Sequence, residues 1–456
     1  MYPTIAKYVF FYPIRYLRGE FICPLINKVK QIETYDENDI EKYQIERINN
    51  VLSYCKENIP FYRNNLPNKM QYKKYIKSYE DMQNVPVIDK KLYIKEIVKC
   101  NSLPKKRVSK RSTSGSTGEP LIFYKERIAT AFMDAVMYHT YSWHDIKIGD
   151  KQARFWGMPV KQQAKAKEQL KDFFMNRTRF SAFNLEKETM MQYYYHMLKF
   201  RPNYCYGYPS LIYEFASFMK ANNLSFKALN LKGVILTGEM LLPERLGIIE
   251  EIFSAKTINE YGCTEIGVIG FQCKHNKMHV MSHNVYLEVL SEGIQVYDEE
   301  GDLYVTELNS NYMPFIRYKL GDRGIITKER CECGVHFPVI KSIKGRVDDF
   351  VITPDGRKIY DAIFAYTLKR HVKSFLVIQK RVELIEIYIV RDQLYSENTE
   401  KEYLNILHKA LGDGIKLQVF HVDELPRESS GKLRYFRSEV SANKQVDTPP
   451  NFLNKT

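Results

Sequence analysis

Gly233-Val-Ile-Leu-Thr237 and Lys256-Thr-Ile-Asn-Glu-Tyr261 are short apolar, strand-like runs, and Pro243–Phe253 between them has helical character. A strand, a helix and another strand in succession imply an α/β fold with mainly parallel strands. Upstream, residues from about Asn38 to Lys56 place Ile40, Tyr43, Ile48, Val51 and Leu52 on or near one helical face, and Asn58-Ile-Pro-Phe61 closes that helix because proline forbids its continuation. Downstream of Gln272 the pattern turns to strands and turns, at Val285–Leu290, Ile294–Tyr297 and Asp302–Glu307.

From Gly345 the texture changes again. Phe350–Thr353, the turn Pro354-Asp-Gly356 and Lys358–Tyr360 read as a hairpin. A helix over Asp361–Arg370, strands near Phe375–Gln379 and Leu384–Val390, a helix over Thr399–Leu411 and a strand at Lys416–Val422 follow. The expected organisation is an N-terminal domain over 1–344 with mixed and parallel sheets and a β-rich subdomain at about 272–344. A small α+β C-terminal domain takes 345–440 and a polar tail takes 441–456, with the boundary at Lys344–Asp348.

A chain of 456 residues exceeds the size of one core, so two or three domains are expected. Its net charge of +14 favours encounters with anions: nucleotides, coenzyme A, polysaccharide or a membrane face. The basic residues are spread along the chain, which argues against a nucleic-acid partner. No run reaches the roughly 18–20 apolar residues that span a bilayer. The aromatic, basic start, Tyr2–Ile26, has its longest apolar stretch at Tyr8–Tyr12, stopped by Pro13, and lacks the marks of a secretory signal. It reads as a packed helix, or else as a helix making peripheral membrane contact. The 8 cysteines read as reduced thiols of a cytoplasmic protein.

Five motifs carry chemistry. Arg111-Ser-Thr-Ser-Gly-Ser-Thr-Gly-Glu-Pro120 is a loop rich in backbone and hydroxyl donors, suited to triphosphate oxygens. It is not a Walker loop, since the Gly-Lys-Ser/Thr ending is missing and a strand, Leu121-Ile-Phe-Tyr124, follows. Alone, such a stretch is more often a surface turn. Asn259-Glu-Tyr-Gly-Cys-Thr-Glu265 offers an aromatic to stack on a base and a carboxylate to hold Mg²⁺; its plainer reading is a strand end. Arg317-Tyr-Lys-Leu-Gly-Asp322 puts an Asp at a turn, where it can accept ribose hydroxyls or simply form the turn. Gly345-Arg-Val-Asp-Asp349 lies on the boundary, and Pro426-Arg-Glu-Ser-Ser-Gly-Lys-Leu-Arg434 carries a lysine on a turn near the C-terminus.

In this order the motifs resemble the ANL adenylate-forming superfamily of acyl-CoA synthetases, nonribosomal adenylation domains and luciferases. The chain is most similar to the phenylacetate–CoA ligase family and its capsular polysaccharide biosynthesis branch. Ile45-Glu-Arg-Ile-Asn-Asn-Val-Leu52, Ile59-Pro-Phe-Tyr62, Gly207-Tyr-Pro-Ser210 and Cys331-Glu-Cys-Gly334 add to the likeness, which spans about residues 35–440.

The resemblance implies that Ser112, Thr113, Ser114, Gly115, Ser116, Thr117 and Gly118 cradle the β- and γ-phosphates. It implies that Tyr261 stacks on adenine, Thr264 touches the α-phosphate, Glu265 holds Mg²⁺, Asp322 binds the ribose, and Arg346 lies close to the same nucleotide. Gly238, Glu239, Asn259, Glu260 and Gly262 complete that nucleotide-binding set. Asp348 would be the hinge of a mobile C-terminal domain, and Lys432 would bridge carboxylate and α-phosphate oxygens. Carboxylate and triphosphate repel, so adenylation needs such cations. An acyl pocket would draw on the helix Met133–His144 with His139, on Tyr206–Ser210 with Tyr208, and on Gly238–Met240. Two departures stand out. Glu119 replaces a lysine common among relatives, and Thr353-Pro-Asp-Gly-Arg-Lys-Ile359 differs from the commoner hairpin, which leaves coenzyme A recognition open.

Cys273, His275, Cys331 and Cys333 supply three thiols and one imidazole, a tetrahedral Zn²⁺ ligand set, with His279 and His283 as substitutes for His275. Inert thiols with a satisfied histidine are the alternative. Cys263 reads as packing.

The expected enzyme is an ATP- and Mg²⁺-dependent, AMP-forming ligase that activates a carboxylic acid and passes it to CoA, in the service of polysaccharide biosynthesis. The alternatives are acyl transfer to an amine or hydroxyl on a sugar, AMP transfer, and a non-catalytic nucleotide-binding scaffold. A homodimer stays open.

Overall fold

The β-α-β reading of residues 233–261 corresponds to strand β6 (Val234–Thr237), helix Pro243–Phe253 and strand β7 (Thr257–Cys263), with β6 and β7 parallel. The computed structural model describes residues 1–66, 74–98, 108–113, 121–156, 162–181, 187–240, 243–346, 350–360, 362–368, 371–412, 414–426 and 433–440. The chain divides into two compact units between Ile343 and Lys344.

In the first unit, β1 (Val108–Ser112) and β2 (Ile122–Glu126) form an antiparallel pair of their own. Around β6 and β7 lie β3 (Gln152–Trp156), β4 (Arg177–Ser181) and β5 (Tyr204–Gly207). Beyond them come β8 (Gly267–Gln272), β9 (Met278–Val280), β10 (Val285–Ser291), β11 (Ile294–Gln295), β12 (Gly301–Glu307), β13 (Tyr318–Thr327) and β14 (Val339–Arg346). These join in a 12-stranded sheet of order β11-β10-β12-β13-β14-β9-β8-β7-β6-β5-β3-β4. The run β4-β3-β5-β6-β7 is parallel, and β8 turns antiparallel on β7. The β-rich stretch after Gln272 therefore continues the same sheet. Pro243–Phe253 and its like are the crossovers that parallel strands require.

Phe155, Phe180, Phe215, Phe226 and Phe253 pack together beneath the parallel strands, each at most 1% exposed. Truncating such a ring to alanine costs about 3–5 kcal/mol. A second core joins helix Glu37–Asn58, through Ile48, Val51 and Leu52, to the antiparallel strands, through Val289, Leu303 and Val305. That helix begins where the Asp36 carboxylate accepts from Asp39 N at 2.8 Å. The N-terminal segment is helical from Pro3 to Leu17 and buries Ala6 and Phe11, while Tyr2, Tyr8, Val9 and Leu17 stay exposed. Among the described residues no helix is long and apolar enough to cross a membrane.

In the second unit, β15 (Phe350–Ile352) and β16 (Lys358–Tyr360) form the hairpin around the 354–356 turn. Helix Ala362–Thr367 and helix Glu397–Leu411 flank a sheet of β17 (Val372–Arg381), β18 (Leu384–Arg391), β19 (Lys416–His421) and β20 (Phe436–Ser438), ordered β19-β18-β17-β20. Its core includes Val351, Phe364, Val377, Ile387, Leu407 and Phe436.

Candidate active site

The β1–β2 pair forms a stem in which Ser112 faces Ile122. Thr113 closes that stem from both sides: its N–H donates to Leu121 O at 3.0 Å, and its Oγ1 accepts from Leu121 N at 2.9 Å. Ser114, Gly115, Ser116, Thr117 and Gly118 lie outside the described residues, as do Asp348 and Lys432. Arg346 ends β14, and its side chain is likewise outside the description.

Strand β7 sorts its residues by the two-residue period of a pleated strand. Ile258 and Glu260 are buried, whereas Asn259 and Tyr261 are half-buried on the other face. Asn259 N donates to Gln272 Oε1 at 2.7 Å. Glu260, expected among the nucleotide contacts, is 6% exposed, and its carboxylate accepts from Tyr141 OH at 3.0 Å and Tyr206 OH at 3.1 Å. Burial pushes its pKa up, and the tyrosine hydroxyls pull the other way.

Between β7 and β8 a turn presents Thr264, exposed, and Glu265, half-buried. Gly262 sits so close across this hairpin that a Cβ would meet Gly267 O at 2.2 Å, and Gly267 itself has φ +88°. Lys125 of β2 holds the turn from beneath. Its Nζ donates to Glu265 O at 2.6 Å and to both oxygens of Glu307 on β12, at 2.6 and 2.7 Å. Lys125 and Glu307 are both completely buried, and burial pushes Lys125 down and Glu307 up. Such a pair survives only because its short bonds offset desolvation. Sequence reading missed both residues. The lone signal was a lysine two places after the buried Phe123 in an apolar strand.

Tyr261 and Asp322 meet: Tyr261 OH donates to Asp322 Oδ2 at 2.7 Å. Both stand at irregularities of the sheet. The β7–β8 register slips between Tyr261 and Gly262. On β13, Leu320, Gly321 and Asp322 together face only Leu303, and Gly321 has φ +83°. Bulges of this kind re-aim a side chain out of the ladder. Arg317 of the same motif is structural, buried and donating to Glu288 at 3.1 Å.

Gly238, at φ +81°, turns the chain after β6 so that Glu239 accepts from Ser210 N at 2.9 Å and Ser210 Oγ at 3.1 Å at the start of helix Pro209–Ala221. Tyr208, ahead of that helix, stacks on Trp156 with centroids 4.1 Å apart. His139, expected in an acyl pocket, lies in helix Arg127–Ser142 with Nε2 2.6 Å from Glu33 Oε2. Cys263 packs against the core.

Cys273, Cys331 and Cys333 do converge, but with His279 rather than His275. One ligand atom from each of the four lies within 4.8 Å of the others. His275 points outward and pairs with Glu332 at 3.4 Å, because the turn at Asn276, φ +59°, carries it away from the cluster. His279 sits opposite Val339 in the β9–β14 pair, which brings it under the turn bearing the other two thiols. Its Nε2 is 3.2 Å from Cys333 Sγ, and Phe337 O lies 3.2 Å from its Nδ1. Three sulfurs and an imidazole oriented from behind fit a structural Zn²⁺.

Residues 351–439 match a family model described as the CapK C-terminal domain. Protein CapK of Staphylococcus aureus is 24% identical over 421 residues, covering 87% of this chain and 89% of that protein. A phenylacetate-coenzyme A ligase of Thermus thermophilus is 24% identical over 347 residues, covering 71% and 74%. The fold matches a crystal structure of 2-hydroxyisobutyryl-CoA ligase in complex with R3-HIB-AMP, with a TM-score of 0.72 at 20% identity over 90% of this chain and 92% of that one.

The chain is thus similar in sequence to CapK and to a phenylacetate-coenzyme A ligase, and it shares the fold of a CoA ligase. In this fold the Tyr261–Asp322 pair and the Thr264–Glu265 turn lie on adjoining segments, since β7 supplies the tyrosine and leads directly into the turn.

Proposed function

We propose that this chain is an ATP-dependent, AMP-forming ligase that activates a carboxylic acid as acyl-AMP and transfers the acyl group to CoA. The observation that supports it most is the 2.7 Å Tyr261–Asp322 contact, which unites two separate motifs at paired bulges. In this reading the Asp322 carboxylate accepts the ribose hydroxyls, and the Tyr261 ring gives adenine a face to stack on. The Thr264 hydroxyl meets the α-phosphate. Thr264 and Glu265 form a hard oxygen donor pair suited to Mg²⁺, which supplies charge against carboxylate–triphosphate repulsion. Lys125 keeps that turn fixed from below, so donor positions are set before the nucleotide arrives. Ser112–Gly118 and Arg346 take the remaining phosphate contacts, and Lys432 bridges the reacting oxygens by its place in the C-terminal motif. Asp348 serves as the hinge. The Cys273–His279–Cys331–Cys333 cluster holds Zn²⁺.

A panel of carboxylic acids tested for ATP–pyrophosphate exchange checks the adenylation step. Exchange that depends on an acid and disappears in Lys432→Ala is the expected result, and silence across the panel overturns the reading. AMP release that requires CoA selects the thioester. Release driven instead by an amine or hydroxyl on a sugar moves the acceptor to polysaccharide assembly.

A further inference from the structure

We propose that Glu33, His139 and His283 form a second metal site, for a zinc-class divalent ion, buried between the N-terminal helices and the sheet. One ligand atom from each lies within 4.8 Å of the other two. Glu33 ends helix Ile22–Glu33, His139 lies in helix Arg127–Ser142, and His283 lies between β9 and β10. Two imidazoles and a carboxylate are a zinc ligand set that leaves one position for a further donor.

Unmet hydrogen bonding carries the assignment. His283 is 0% exposed, and neither of its ring nitrogens has a partner. His139 is 5% exposed, and its Nδ1 is likewise unpartnered. Buried side-chain nitrogens are nearly always paired, so three orphans in one cluster need an explanation. The Phe337 ring meets His283 at 87° with centroids 4.5 Å apart, a contact that can relieve at most one nitrogen. A cation can take one nitrogen from each ring, which accounts for His139 Nδ1 and one nitrogen of His283.

Glu33 is already aimed. Trp143 Nε1 donates to its Oε2 at 2.9 Å, and His139 Nε2 lies 2.6 Å from the same oxygen. This is the outer support expected behind a ligating carboxylate. The site is separate from the thiol cluster: the Trp143 ring stands between them, with centroids 6.3 Å from His139 and 6.1 Å from His279. The ion would tie together three segments distant in sequence, independently of the catalytic reading.

The test is metal content of the full chain by inductively coupled plasma mass spectrometry after zinc loading and dialysis. The wild type should hold about two equivalents, and His283→Gln, Glu33→Gln and Cys333→Ser about one each. Glu33→Gln retains an acceptor for Trp143 at the accessible rim, so it carries the test should His283→Gln not fold. With Co²⁺ in place of Zn²⁺, Glu33→Gln should keep the thiolate charge-transfer band and Cys333→Ser should weaken it. The proposal is overturned if the wild type holds no zinc. It is overturned equally if Glu33→Gln holds as much metal as the wild type.

Discussion

Helix Arg127–Ser142 separates two regions that treat buried polar groups in opposite ways. Tyr141 and His139 are two residues apart, which places them on different faces of a helix. On the Tyr141 side the polar groups satisfy one another: Glu260 accepts from two tyrosines, and Lys125 with Glu307 and Glu265 O closes a second network. On the His139 side the inventory is left short, with His283 unpartnered and four sulfur and nitrogen donors gathered beyond Trp143. The first arrangement needs a ligand only at its tips, where Thr264, Tyr261 and Asp322 stand. In the second, the proposed cation would sit within the packing itself.

Lys125→Met would strain this comparison most. It leaves the Glu307 carboxylate buried and unpaired, which costs about 3–5 kcal/mol by urea denaturation. A Lys125→Met/Glu307→Leu double variant should recover much of that loss while still slowing pyrophosphate exchange, since Glu265 O loses its anchor. Recovery of both stability and activity would show that the pair is packing alone.

Stripping metal with a chelator comes next. An ion present at a hundred times its dissociation constant stabilises the fold by about 2.7 kcal/mol, and the thermal midpoint should fall accordingly on removal. The wild type should respond more than Cys333→Ser. Asp322→Asn follows, removing a charged acceptor for the ribose. ATP KM should rise on the order of 10- to 100-fold with little change in stability.

Glu260→Gln has a smaller effect, readable through pH. The folded pKa of Glu260 is raised above its ordinary 4.5, so the native state binds the proton more tightly than the unfolded one. Its stabilising contribution is full below that ordinary value and is lost as pH rises through the raised folded value. The variant should therefore show a flatter decline of stability above about pH 4.5, compared by denaturation across pH. Tyr261→Phe is the mildest. Losing one hydroxyl bond to Asp322 while keeping the ring should cost about 0.5–1.5 kcal/mol, a few-fold in ATP KM.

Much of the fold was legible from local pattern. Helix Pro243–Phe253 and strands β6 and β7 were visible because β-branched runs and helical periodicity are local properties. So was the hairpin at 350–360, where the Pro354-Asp-Gly turn marks its own place. That the strands after Gln272 continue the large sheet was not visible, since strand neighbours are chosen by long-range pairing. In the site, the motifs bearing Tyr261, Thr264, Glu265 and Asp322 could be picked out, but the opposed duties of Glu260 and Tyr261 waited on the pleat of β7.

What the sequence by itself determined is the alternation of elements, the position of the glycines that permit tight turns, and the order of the five motifs. These follow from backbone sterics and side-chain period, which act over a few residues. Only the tertiary structure decided which histidine joins the thiols, that Lys125 reaches Glu307 across 182 positions, and that Glu33, His139 and His283 share one pocket of unmet donors. Those outcomes turn on register and burial. A shift of one residue reverses the face a side chain takes, and nothing within a single segment records that choice.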